Sequence, residues 1–147
     1  MKHKTNFLNV SDKDFEVVVV EDNKLANVVL SRELDSTINK IMDSKNHPIK
    51  LSSFQLGADF LNYLESIDSE KSRLIVFSDF HLENEMNGTK ILREVKQKGI
   101  EATVIIMSDT TNKLTWANII NMGAHRFLHK NIKTPTICSQ ILYQMLN

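Results

Sequence analysis

The sequence has one cysteine, two prolines, four glycines and no surplus of either charge. With Cys138 alone, no internal disulfide can form, and a reducing compartment is the simpler expectation. Lys+Arg and Asp+Glu both number 18, and this balance removes the usual electrostatic attraction to nucleic acid or to an anionic membrane. No long apolar segment follows the basic start Met1-Lys2-His3-Lys4, so neither a secretory signal nor a membrane span is expected, and a cytoplasmic location is the default. No glycine-rich phosphate loop follows a strand, which disfavours a nucleotide-binding or flavodoxin-type enzyme. Repeats and low-complexity stretches are also missing. What remains is an ordinary globular composition, 41% hydrophobic and 24% charged over 147 residues, enough for one domain with a real core.

Hydrophobic patterning divides the chain into five strand–helix pairs. Residues 1–14 are polar with isolated Phe7, Leu8 and Val10, and are expected to form an N-terminal extension packed by Phe7 and Leu8. Phe15–Val20 is a β-branched run of the kind that fills a buried parallel strand. Asp22 or Asn23 can cap the next helix, whose apolar stripe is expected to hold Leu25, Ala26, Val29, Leu30, Leu34, Ile38 and Ile41. Ser44–Pro48 breaks it. Ile49–Phe54, Leu74–Phe77, Thr103–Met107 and His125–Leu128 are the remaining strand candidates. Helices are expected from about Leu56 to Ile67, over Gly88–Lys98 with Gly99 as its cap, over Lys113–Met122, and from Thr134-Pro135 onward. The last should bury Ile137, Ile141, Leu142 and Met145. Apolar strands alternating with helices predict an α/β fold: a five-stranded parallel sheet between two layers made of five helices. Ligand sites of such sheets lie beyond the carboxyl ends of the strands.

Four of the apolar runs end on polar residues: Glu21-Asp22-Asn23, Ser78-Asp79, Ser108-Asp109-Thr110 and His129-Lys130. A carboxylate such as Asp79, where a buried strand stops, is partly shielded yet reachable. If Glu21 and Asp22 lie near it, three carboxylates meet, which is costly without a cation. Mg²⁺ suits such oxygen ligands, with Mn²⁺ as the alternative. The plainer reading has Asp22 as a helix cap and Glu21 in solvent. A carboxylate can also act as a nucleophile and form an aspartyl-phosphate. Phosphoryl transfer needs positioning and charge stabilisation, which the lysine Lys130 and the hydroxyl Ser108 can supply from neighbouring strand ends. Singly, Asp79 reads equally well as an Asx-turn residue, Ser108 as a turn hydroxyl and Lys130 as a solvated lysine. The informative feature is their shared position at strand ends, in this order.

Residues 15–147 resemble the receiver domains of two-component response regulators. The resemblance rests on Glu21-Asp22 after the first strand, Asp79 after the third, Met86-Asn87-Gly88 opening the third helix, and Ser108 after the fourth strand. Gly123-Ala124, Phe127 and Lys130 around the fifth strand complete it. It implies the flavodoxin-like three-layer fold of receivers and Asp79 as acceptor of a phosphoryl group from a histidine kinase or histidine phosphotransfer protein. It further implies Asp22, Asp79 and the main-chain carbonyl of His81 as Mg²⁺ ligands, with Glu21 contributing through water. Ser108 and Lys130 would contact the phosphoryl group, and Ser108 and Phe127 would form the switch pair. Trp116, on the fourth helix, is expected in ordinary partial core packing.

Two positions depart from the family pattern. The stretch from Asp79 to Gly88 lacks the usual proline and is one residue longer. Asn131 follows Lys130 where the family carries proline after a cis bond; such a bond before a non-proline residue costs about 2.5–4 kcal/mol, so this peptide is either trans or strained. With no output domain in the sequence, the leading expectation is a phosphoacceptor that acts through a downstream protein target. It would bind neither nucleic acid nor membrane and would catalyse only its own phosphorylation and dephosphorylation. The alternative is a receiver-like interaction module that signals without phosphorylation.

Overall fold

Each apolar run becomes a strand because it can be covered on both faces. The computed structural model describes residues 13–44, 48–83 and 86–146; the expected packing role of Phe7 and Leu8 lies outside them. The strands are β1 (Asp14–Val20), β2 (Ile49–Phe54), β3 (Ser72–Asp79), β4 (Glu101–Ser108) and β5 (Arg126–His129). The helices are α1 (Lys24–Ser44), α2 (Gly57–Ser66), α3 (Gly88–Lys98), α4 (Lys113–Asn121) and α5 (Thr134–Leu146). All strand pairs are parallel and the sheet order is β2-β1-β3-β4-β5. This is the flavodoxin-like fold of receivers that the sequence implied.

Alternation along the strands builds two cores. Val18 and Val20 of β1, Leu74 and Val76 of β3, and Val104 and Ile106 of β4 face α2, α3 and α4, against Phe60, Leu64, Ile91 and Ile119. Val17, Val19, Ile75, Phe77, Ile105 and Met107 face α1 and α5, against Leu30, Leu34, Cys138 and Leu142. Each fully buried aliphatic or aromatic side chain contributes about 1.5–3 kcal/mol.

The helix faces differ in part from expectation. In α1 the buried positions are Asn27, Leu30, Leu34, Thr37, Ile38 and Ile41, while Leu25 and Val29 are exposed. The stripe runs at three- and four-residue steps from residue 27, so Leu25 and Val29 fall beyond its edge. Asn27 takes the inner place because its Nδ2 donates to the carbonyls of Glu21 and Phe54, at 3.1 Å each, joining the ends of β1 and β2. In α5, Thr134, Cys138, Ile141 and Leu142 are buried, whereas Met145 is exposed.

Register then fixes the site. Val20 pairs with Ser78, Asp79 with Met107, and Ser108 with His129. Glu21, Asp79, Ser108 and Lys130 therefore emerge along one rim, the carboxyl ends of four adjacent strands.

Candidate functional site

Glu21 is almost fully buried, at 2% exposure, and Asp79 is buried at 7%. The plainer reading of Glu21 as a solvent-facing residue is thus overturned. Its Oε2 accepts from the backbone N–H of Asn23 at 3.0 Å, and its Oε1 meets Lys130 Nζ at 2.7 Å. The same ammonium reaches Asp79 Oδ2 at 3.2 Å. Asp22 is half-buried beside them, and it is Asn23 that caps α1, its Oδ1 accepting from Ala26 N–H at 2.9 Å.

One oxygen from each of Glu21, Asp22 and Asp79 lies within 4.8 Å of the others. Two buried carboxylates and a third beside them thus face a single lysine. Burial raises the Asp79 carboxyl above its ordinary range; Lys130 and a bond from the His81 backbone pull the other way without overcoming it. The Asp22 carboxyl is also raised, by burial and then by its hydrogen bond and charge contact with Glu21. Burial alone would lower Lys130, but its hydrogen bond to Glu21 and the charge of Asp79 hold it above the usual lysine value. Asp79 and Asp22 are thus pushed toward their neutral forms chiefly by burial, while Lys130 is held charged by its acidic partners.

The described residues of the loop after Asp79 are tied by backbone bonds. Phe80 N–H donates to Met107 O, Leu82 N–H to Met86 O, and Gly88 N–H to Phe80 O, so the loop closes as a small hairpin bridged at His81 and Asn87. Among the described residues, these bonds run through the neighbours of His81 and none uses its carbonyl. Leu82 and Met86 cover the start of α2, where a Cβ on Gly57 would lie 2.6 Å from Met86 Cγ. Asn87 caps α3 by accepting from Lys90 N–H.

No peptide bond among the described residues is cis, so Lys130–Asn131 is trans. Lys130 N–H donates to Ser108 O at 2.8 Å, and Asn131 N–H donates to Thr134 Oγ1 at 2.8 Å, which fixes the turn into α5. The lysine reaches both carboxylates in this arrangement.

Ser108 is fully buried, and its Oγ accepts from Thr110 N–H at 3.1 Å, within its own loop. Phe127 is half-buried on β5, opposite Ile106. Its ring lies 5.0 Å from that of Trp116, tilted by 34°. Glu21, Asp22, Asp79 and Lys130 are therefore brought into contact, while Ser108 and Phe127 stand at the neighbouring edge. Sequence reasoning passed over the inward role of Asn27. The signal for Asn27 was available, because a polar residue three before Leu30 and seven before Leu34 sits on the helix's apolar line.

Comparison with known proteins gives one consistent result. The family profile described as response regulator receiver domain matches residues 17–142. No curated protein sequence matches the chain. Among solved structures, the signal receiver domain of a DNA-binding response regulator from Colwellia psychrerythraea aligns with a TM-score of 0.70 at 19% identity, covering 90% of this chain and 98% of the other. The beryllofluoride-activated receiver domain of DrrB, a Thermotoga maritima protein, aligns with a TM-score of 0.68 at 22% identity over 90% and 97% of the two chains. A Burkholderia pseudomallei response regulator holding a phosphorylated aspartic acid and a calcium ion aligns with a TM-score of 0.65 at 14% identity over 90% and 72%. Among the described residues, no helix is long and apolar enough to cross a membrane.

Proposed function

The chain belongs to the response regulator receiver family, and from that premise we propose that it accepts a phosphoryl group on Asp79 from a phosphohistidine of a histidine kinase or phosphotransfer protein. The observation that carries this reading is Asp79 itself: a buried carboxylate at the end of the central strand, 3.2 Å from Lys130 Nζ. A carboxylate oxygen of Asp79 attacks phosphorus, forming an O–P bond. The P–N bond of the donor breaks, and its electron pair returns to the imidazole nitrogen. Lys130 holds Asp79 in place and offsets charge on the transferred group. Ser108, one residue beyond the partner of Asp79 on β4, donates its hydroxyl to a phosphoryl oxygen.

Glu21, Asp22 and Asp79 fit a small oxygen-seeking cation, because their carboxylates outnumber the one ammonium among them and their oxygens converge within 4.8 Å. They would hold Mg²⁺, or Mn²⁺, together with the His81 carbonyl. Such an ion supplies charge neutralisation for the carboxylates and for the incoming phosphoryl oxygens. The chemistry is modification of the chain itself, and it biases a protein-binding surface built around Ser108 and Phe127 toward a downstream target. The receiver unit spans residues 15–147, with 1–14 as an extension, and works in the cytoplasm.

The test is incubation with acetyl phosphate and Mg²⁺ followed by intact mass analysis. A gain of one phosphoryl group that Asp79→Asn abolishes and chelation of the metal prevents is the expected result. No gain in the wild type would favour a receiver-like module that signals without phosphorylation.

A further inference from the structure

The turn between β4 and α4 is closed around one residue, Thr110. Its N–H donates to Ser108 Oγ at 3.1 Å. Its Oγ1 accepts from Asn112 N–H at 3.2 Å. Its carbonyl accepts from the indole Nε1–H of Trp116 at 3.0 Å. Asn112 in turn caps α4, its Oδ1 accepting from Leu114 and Thr115 N–H. Trp116 sits one turn into α4, so its indole reaches back over the loop while its ring packs against Phe127. It is the only tryptophan in the chain.

These contacts form one unbroken path from Ser108 Oγ through the Thr110 peptide to the Trp116 indole and on to the Phe127 ring. No hydrogen bond joins Ser108 to Asp79 among the described residues; the hydroxyl is engaged by its own loop. We propose that Trp116 is a latch that holds the β4–α4 loop, and through Thr110 the Ser108 hydroxyl, in the unphosphorylated arrangement. The inference rests on the phosphoacceptor reading above and adds a positioning residue to it. A phosphoryl oxygen on Asp79 would accept the Ser108 O–H, and turning the side chain toward it carries Oγ away from Thr110 N–H. When the hydroxyl turns, Thr110 loses one of its three anchors, and the indole bond becomes the restraint that opposes the shift. That restraint is one half-buried hydrogen bond to a carbonyl plus ring packing, so it can release without unfolding α4.

Trp116→Phe keeps an aromatic face for Phe127 and deletes only the donor. The expected result is phosphorylation by acetyl phosphate that is faster, or half-saturated at lower donor concentration, by about 3- to 10-fold, the range that one neutral hydrogen bond commands. A second arm needs no phosphodonor. In the wild type, the indole Nε1–H should exchange slowly with solvent and give one sharp NMR resonance; Ser108→Ala should speed its exchange several-fold and shift the tryptophan emission. Unchanged phosphorylation in Trp116→Phe together with unchanged indole exchange in Ser108→Ala would overturn the latch. A wild type that takes up no phosphate would instead sink the phosphoacceptor reading, and the Ser108→Ala arm alone would then decide whether the coupling exists.

Discussion

The two halves of the rim are built from different forces. Where β1, β3 and β5 end, Glu21, Asp22, Asp79 and Lys130 meet through charge, with two of the carboxylates nearly removed from water. Around the turn that follows β4, Ser108, Thr110 and Trp116 meet Phe127 of β5 through neutral hydrogen bonds and ring packing. Buried charges tolerate little displacement, because the loss of a partner leaves an uncompensated ion. Neutral bonds near the surface net only about 0.5–1.5 kcal/mol each and exchange readily. A rigid ionic half that does chemistry beside a neutral half that can rearrange is the division a signalling domain needs.

Lys130→Ala should break this contrast most severely. It leaves Glu21 buried with no counter-charge and Asp79 without its ammonium. We expect destabilisation of about 3 kcal/mol, within the range for removing one member of a buried pair. That corresponds to a fall in melting temperature of about 10 °C for a domain of this size. Calorimetry checks the first effect. Phosphoryl uptake should fall with it, and Lys130→Arg should recover stability better than uptake, since a planar guanidinium does not reproduce the ammonium's position between two carboxylates.

Asp79→Asn sharpens the same comparison in the opposite direction. Burial holds the Asp79 carboxyl above its ordinary range, so the folded chain binds that proton more tightly than the unfolded chain. The associated stability is fully present below the ordinary carboxylate value of about 3.9 and is lost as pH rises through the raised folded value. At pH 7 without metal, ionised Asp79 therefore works against the fold. Asp79→Asn should melt about 2–4 °C above the wild type there, as a gain of about 1 kcal/mol implies. The gap should close as the pH falls toward 4. Adding Mg²⁺ should raise the wild type more than the variant. A gap that widens on acidification would refute the assignment of burial as the dominant cause.

Much of this was legible in the sequence, and the reason is register. Parallel strands of apolar residues place their ends along one edge, so Glu21, Asp79, Ser108 and Lys130 could be grouped from the order of runs alone. Periodicity also fixed the two cores, since alternate residues of Val17–Val20 go to opposite layers. What could not be read was hydrogen bonding between segments. Leu25 and Val29 look apolar enough to bury, but Asn27 displaces them because its amide satisfies two strand-end carbonyls. Trp116 shares in packing as expected, yet its bond to Thr110 depends on the path of a loop that carries no periodic signal. The fit of the long loop after Asp79 depended on Gly57, a residue distant in sequence, making room for Met86.

The smallest expected effect lies on the neutral half. Thr110→Ala removes the hydroxyl that accepts from Asn112 N–H but keeps the backbone groups that bind Ser108 and Trp116. Thr110 is half-buried and Asn112 exposed, so water can replace the lost acceptor, and the cost should stay within about 0.5–1 kcal/mol. Denaturant unfolding with an unchanged slope would measure it. The carboxylate half should not respond: Mg²⁺-dependent stabilisation should match the wild type. A loss as large as that of Lys130→Ala would mean that the loop around Thr110 supports the ionic cluster, and the two halves would then have to be treated as one cooperative unit.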